Sequence, residues 1–202
     1  WNGQTFSFNN QVKDLAELPG GKLLVAGDFT QVNGETHVGT VLIDPATGQI
    51  DPSWTLQART GTNGGRVSVK SIKIINGHIY LGGMFTHFQG NGASWTYARN
   101  GARLDINGKP DRSWNPEFNG TVIDIDVDEN ETYYYAAGYF TRAHDRVVEN
   151  AGRLSTAAGA ELDQSWTFRH SYLIGKYQQT VTAANGRVYF GGSQHSLFGY
   201  NS

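Results

Sequence analysis

Asp14, Ser71 and Asp124 are small polar residues that fall at nearly the same place in successive stretches of this 202-residue chain. Two of them are acids. If the segments carrying them converge, a pair of carboxyl groups can work as general acid and base, as glycosidases use two carboxyls about 5–10 Å apart. The alternative is structural: residues that recur in register serve the repeat, here by hydrogen bonding at strand ends. A second acidic pattern, Asp124-x-Asp126-x-Asp128-x-Asn130, has the alternation of a calcium loop. It lacks that loop's glycine and its closing glutamate, with Glu131 and Ala137 in those places when counting starts at Asp126. A solvated hairpin turn accounts for the same residues. No cofactor is expected, with calcium the one alternative the pattern raises.

Other chemistries lack their residues. There is no cysteine, which excludes disulfides, thiolate metal sites and a thiol nucleophile. The six histidines (His37, His78, His87, His144, His170 and His195) show no zinc spacing. No Gly-x-Ser-x-Gly elbow occurs. Gly61-Thr62-Asn63-Gly64-Gly65 has neither the lysine nor the following helix of a phosphate loop. Asn119-Gly120-Thr121 and Asn130-Glu131-Thr132 are glycosylation sequons, relevant only in a eukaryotic secretory setting. A net charge of −2 gives no footprint for nucleic acid, and no apolar run approaches the roughly 18 residues that span a bilayer.

The frame that must position these residues is a repeat. Gly27-Asp28-Phe29-Thr30 returns as Gly83-Met84-Phe85-Thr86 and Gly138-Tyr139-Phe140-Thr141, with a worn copy after Gly192; the glycines are 56, 55 and 54 residues apart. Asp51-Pro52-Ser53-Trp54 recurs as Asp111-Arg112-Ser113-Trp114 and Asp163-Gln164-Ser165-Trp166. Such a period means stacked or radial units. Within a copy, short apolar strands alternate with turn signals: Pro19-Gly20-Gly21, Asn33-Gly34 and Asp44 to Gly48 in the first, Asn76-Gly77 and Asn107-Gly108 in the second. Four short strands per copy and no helical periodicity predict an all-β propeller, or a propeller segment, of four-stranded antiparallel blades at about 54 residues per repeat. The copies run over approximately 2–54, 55–114, 115–166 and a partial 167–202, forming one propeller segment across 1–202. The recurring Phe29, Phe85 and Phe140, with Trp54, Trp114 and Trp166, read as wedges between neighbouring blades.

The residues Gly82-Gly83-Met84-Phe85-Thr86, Ala102-Arg103-Leu104-Asp105, Gly108 and Asp111 to Trp114 resemble the bacterial delta-sixty β-propeller repeat family over nearly the whole chain. The resemblance implies a large, secreted or surface-attached protein with adhesion-type modules, and it brings no catalytic residues. Trp1 falls where the end of a preceding copy belongs, and the last copy stops before its Asp-x-Ser-Trp. The expectation is a fragment of a longer propeller; the alternative is a small ring closed by the N-terminal strand. Open ends would expect further blades or neighbouring subunits as partners.

Copies differ most in the second. Its interval from Gly83 to Leu104 is 21 residues, against 16 in the first and third, and the excess falls in Gly90 to Tyr97. Asn91, Trp95 and Tyr97 are therefore the candidate ligand-binding residues: an aromatic pair on a glycine-rich loop can stack on a sugar ring or anchor a protein. The expected role is a non-catalytic extracellular or cell-surface module that binds a glycan or protein through loops on one face. The alternatives are a carbohydrate-active enzyme working through channel acids, and a structural subunit of a surface fibre joined near Trp1 and Phe198-Gly199-Tyr200.

Overall fold

The computed structural model describes residues 3, 5–61, 65–168 and 177–193, and the backbone of 198–201. Trp1, Thr62 to Gly64, His170, His195 and the side chains of Phe198 and Tyr200, on either side of Gly199, lie outside the described residues. The described residues contain no helix, and none long and apolar enough to cross a membrane.

The chain is all-β and forms a propeller segment of four blades. Blade 1 contains β1 (Val12–Glu17), β2 (Leu23–Gly27), β5 (Thr40–Asp44) and β6 (Gln49–Ile50), with a small hairpin of β3 (Gln31–Val32) and β4 (Glu35–Thr36). Blade 2 contains β8 (Ser68–Ile75), β9 (His78–Met84) and β12 (Gly101–Asp105). Beside it lies a separate sheet of β7 (Gln57–Arg59), β10 (His87–Gly90) and β11 (Ala93–Tyr97). Blade 3 contains β13 (Val122–Val127), β14 (Tyr133–Gly138) and β17 (Ala151–Ser155), with the hairpin β15 (Arg142–Ala143) and β16 (Arg146–Val147). Blade 4 contains β18 (Gln178–Ala184), β19 (Arg187–Gly192) and β20 (Phe198–Asn201). All pairings are antiparallel. The fourth strand of a blade is slight: two residues in blade 1, and single bridges Leu104 to Pro110 and Leu154 to Leu162 in blades 2 and 3. Turn chemistry explains this. In the Asp-x-Ser-Trp segments one oxygen of Asp51, Asp111 or Asp163 accepts from both the backbone N–H and the hydroxyl of the serine two residues on, at 2.6–2.9 Å, which bends the chain out of strand geometry.

That bend turns each tryptophan into the gap between blades. Trp54 packs among Leu24, Leu81 and Phe85, between blades 1 and 2. Trp114 packs with Tyr80, Tyr134 and Phe140, between blades 2 and 3. Trp166 leans on a smaller core with Tyr135, Phe168 and Phe190, between blades 3 and 4. The phenylalanine of each Gly-x-Phe-Thr faces the preceding side; Phe29 does so too, packed edge-on at 4.9 Å against Phe8. The inner strands β1, β8, β13 and β18 pack in chain order, and no comparable packing links β18 back to β1 among the described residues.

Candidate functional site

The inner strands share one irregularity. Each is bulged one residue before the repeated polar position, at Lys13, Lys70, Ile123 and Gln179. Opposite stands the glycine of Gly-x-Phe-Thr, where a Cβ would lie 2.2 Å from the Gln11 carbonyl oxygen at Gly27, 2.1 Å from that of Ser68 at Gly83, and 2.3 Å from that of Thr121 at Gly138. Any side chain there would displace backbone. The bulge bends the strand and re-aims the residues that follow.

Those following residues are Asp14, Ser71, Asp124 and Thr180, and they clasp one blade to the next. The Ile72 N–H donates to Asp14 at 2.7 Å, the Ile125 N–H to Ser71 Oγ at 3.3 Å, and the Val181 N–H to Asp124 at 2.9 Å. Asp124 also accepts from Ser71 Oγ and Thr180 Oγ1, each at 2.8 Å. The other oxygen of Asp14 accepts from the Leu15 N–H at 2.8 Å. Burial, together with the nearby charge of Asp124, outweighs these bonds and raises the Asp14 pKa above the ordinary carboxylate value. The structure thus gathers the three residues in one ladder across the inner strands, with every carboxylate oxygen of Asp14 and Asp124 holding a donor of the chain itself.

Two residues on, Asp126 takes the same part. It accepts from the Ala183 N–H at 2.7 Å and pairs with Lys73 at 2.6 Å. Asp128 instead caps its hairpin by accepting from the Thr132 N–H at 2.7 Å. The acids of the calcium-like pattern therefore serve separate partners, and among the described residues no three His, Asp or Glu side chains converge as a metal set.

The insertion in blade 2 is a strand pair rather than a loop. Asn91 (φ 50°) and Gly92 (φ 81°) make the tight turn, because both tolerate left-handed backbone. Beyond the turn β11 pairs with β10, which pairs with β7. Asn91 braces the tip: its amide donates to the carbonyls of Ser53 and Asn107 at 3.1 and 2.7 Å, and its oxygen accepts from the Thr55 N–H at 3.1 Å. Strand alternation then sorts the side chains. Ala58, Phe88 and Thr96 are buried on one face, while Gln57, Arg59, His87, Gln89, Trp95 and Tyr97 line the other. On that face the Arg59 guanidinium lies 4.1 Å from the centre of the Trp95 ring, and His87 meets Tyr97 edge-on at 5.2 Å. Burial and the Arg59 charge lower the His87 pKa, favouring a neutral ring. Tyr97 is 43% exposed. The result is a polar and aromatic platform. Trp95 and Tyr97 are the aromatic pair expected from the insertion; Arg59, His87 and the glutamines join them on this face through the 87–97 alternation and the pairing with β7.

A further set of partners was not visible in the sequence. Asp28, replaced by Met84 and Tyr139 in the next copies, is buried. It accepts from the hydroxyl of Ser68 and from Arg66 Nη2, the latter at 3.0 Å, and Lys13 Nζ stands 3.9 Å away. The Asp-x-Ser-Trp aspartates find cations too. Arg103 holds Asp111 and Arg153 holds Asp163, each at 2.6 Å. Copy one has Leu42 in the arginine position, and Lys22, just before β2, pairs with Asp51 instead. Grooves lie between the outer hairpin and this turn in each of the first three blades. The largest, about 700 Å³ in blade 3, is lined by Arg146, Arg153, Asp163, Gln164 and Trp166.

Comparison with known proteins agrees on the fold. Residues 18–53, one repeat, match the family described as a β-propeller domain of unknown function (DUF5122). Among solved structures, the chain is similar to the extracellular domain of a protein assigned as a one-component system from B. thetaiotaomicron, with 13% identity and a TM-score of 0.57. That match covers 96% of this chain and 22% of the other, so the chain spans about a fifth of the neighbour's length. At this identity the likeness concerns fold alone. No curated protein matches the sequence.

Proposed function

We propose that the chain is a non-catalytic recognition segment of an extracellular β-propeller protein, binding a glycan or a protein surface through the blade 2 platform. The observation that carries this reading is Trp95 and Tyr97 two residues apart on one face of β11, in a row with His87 and Arg59. Copies 1 and 3 have only two-residue strands at this place, so the platform adds to the repeat rather than building it. The exposed Tyr97 ring, with Gln57, Gln89 and Arg59 on the same face, suits a sugar ring, which presents an apolar face and a rim of hydroxyls. The extracellular setting is supported by the structural neighbour, itself an extracellular domain. Acid–base catalysis is the weaker reading, because the oxygens of Asp14 and Asp124 are already engaged by the chain.

The test is a glycan and protein-ligand screen of the full chain, repeated with Tyr97→Ala and Trp95→Ala. Loss of binding of about tenfold or more in both, with an unchanged melting temperature for Tyr97→Ala, is expected. Undiminished binding of every ligand found would remove the platform from the function.

A further inference from the structure

The residues at the inner-strand bulges and at the second position of Gly-x-Phe-Thr are where the copies part company. Blade 1 has Lys13 and Asp28, blade 2 Lys70 and Met84, blade 3 Ile123 and Tyr139. Cations occupy this position only where blades 1 and 2 meet. There Arg66 Nη2 lies 3.0 Å and Lys13 Nζ 3.9 Å from the Asp28 carboxylate, and Lys70, on the adjoining bulge, adds its charge to the same field. Asp28 is satisfied by Ser68 and Arg66 without the lysines. Lys70 is half-buried and, among the described residues, has no hydrogen-bond or ion-pair partner. Burial depresses its ammonium, and the charges of Lys13 and Arg66 depress it further while Asp28 opposes them. The Arg66 side chain is 71% exposed although its tip is fixed on Asp28. Buried ammonium groups are normally paired, so a half-buried one beside two more cations is poised for an added anion.

The segment that supplies Arg66 is the longest of the three links, the one between Trp166 and β18 having eleven residues (167–177). Thirteen residues (55–67) link Trp54 to β8, against seven (115–121) between Trp114 and β13. The longer link contributes β7, with platform residue Arg59, and then runs to Arg66, tied by a hydrogen bond from Thr60 Oγ1 to the Arg66 carbonyl at 2.9 Å. One excursion of the chain therefore serves both the platform and the cationic cluster.

We infer that Lys13, Arg66 and Lys70 form an oxyanion site at the junction of blades 1 and 2, and that its ligand is the carboxylate or sulfate group of an acidic glycan. This rests on the recognition reading above for its choice of a glycan; the site itself rests on the charges. The guanidinium and Lys70 ammonium supply charge-assisted hydrogen bonds, and Asp28 holds Arg66 in place as its anchor.

Calorimetric titration of the full chain tests this with three probes: an oligogalacturonate (carboxylate), a sulfated dextran oligosaccharide (sulfate) and neutral dextran oligosaccharide. The variants are Lys70→Ala, Lys70→Gln and Tyr97→Ala. Expected is binding of one or both anionic probes, weakening as salt rises from 50 to about 300 mM, and falling about tenfold or more in both Lys70 variants. Preference between the anionic probes identifies the group. Retained anion binding in Tyr97→Ala separates this site from the platform. Binding that Tyr97→Ala abolishes and the Lys70 variants leave intact would overturn the oxyanion site while sustaining the platform. Absence of binding to either anionic probe would overturn it as well, whatever the platform binds.

Discussion

Lys13 and Asp14 are neighbours in the chain, as are Lys70 and Ser71, or Ile123 and Asp124, yet the two columns have opposite fates. The second column joins each blade to the next by the same backbone bond in three successive junctions. The first column sits on the bulge, makes no recurring bond, and changes from lysine to isoleucine to glutamine. The bulge is what separates them. It consumes one residue without a ladder partner, so that residue is released from the repeat while its successor is pressed into the junction. The first column ranges over cationic, apolar and amide residues while the second keeps a side-chain oxygen, which is how a rigid repeat can carry a changeable face.

The sharpest way to break this contrast is to remove the bulge's room. Gly83→Ala places a methyl 2.1 Å from the Ser68 carbonyl oxygen, and should destabilise by roughly 3 kcal/mol or more, since backbone rather than a side chain must yield. Chemical denaturation would measure it; a loss under about 1 kcal/mol would mean the bulge is soft. Next comes the clasp. Asp124→Ala leaves the Val181 N–H, Thr180 and Ser71 without their acceptor, at an expected cost of about 2–4 kcal/mol. In the bulge column, Lys13→Ala in blade 1 should stay within about 0.5 kcal/mol. Equal effects at the two positions would erase the distinction between the columns.

Acid gives a smaller and graded effect. The bond from Lys22 and those from Ser53 hold the Asp51 pKa down at about 2, below the usual 3.8. Burial opposes ionisation at Asp111 and Asp163, but Ser113 with Arg103, and Ser165 with Arg153, outweigh it and keep both pKa values low. A folded-state pKa below the unfolded one contributes stability above the unfolded value and loses it as pH falls through the folded value. Stability should therefore decline between about pH 4 and about pH 2. Asp51→Asn should flatten part of that decline, which denaturation midpoints across the range would reveal. Smallest in stability and largest in binding is Tyr97→Ala, with a melting temperature unchanged within a degree or two and the platform's ligand lost.

Much of this was legible beforehand, and the reasons are local. Turns such as Asn33-Gly34 and Asn76-Gly77 announce themselves because few residues accept left-handed backbone. Trp54, Trp114 and Trp166 recur in register because every junction needs the same wedge. The Asn91 to Tyr97 insertion was visible as excess length, but its conversion into a paired strand was not. That conversion depends on β7, whose residues 57–59 carry no strong pattern of their own and become a strand only when β10 lies alongside. The fourth strand shrank for a converse reason, as the Asp-x-Ser turns claimed its backbone.

By itself the sequence determined the period, the all-β class, the turns and the polar column of Asp14, Ser71 and Asp124, since these follow from backbone sterics and repetition. Only the tertiary structure decided what those residues touch. The partners of Asp14 and Asp124 lie 58 and 57 residues away, and Arg66 reaches Asp28 across 38. Such encounters are set by how blades stack, and the stacking is driven by non-directional burial of Trp, Tyr and Phe. Burial brings the surfaces together without naming which polar groups will meet, so charge and hydrogen bonding acquire their partners only once the blades are in place.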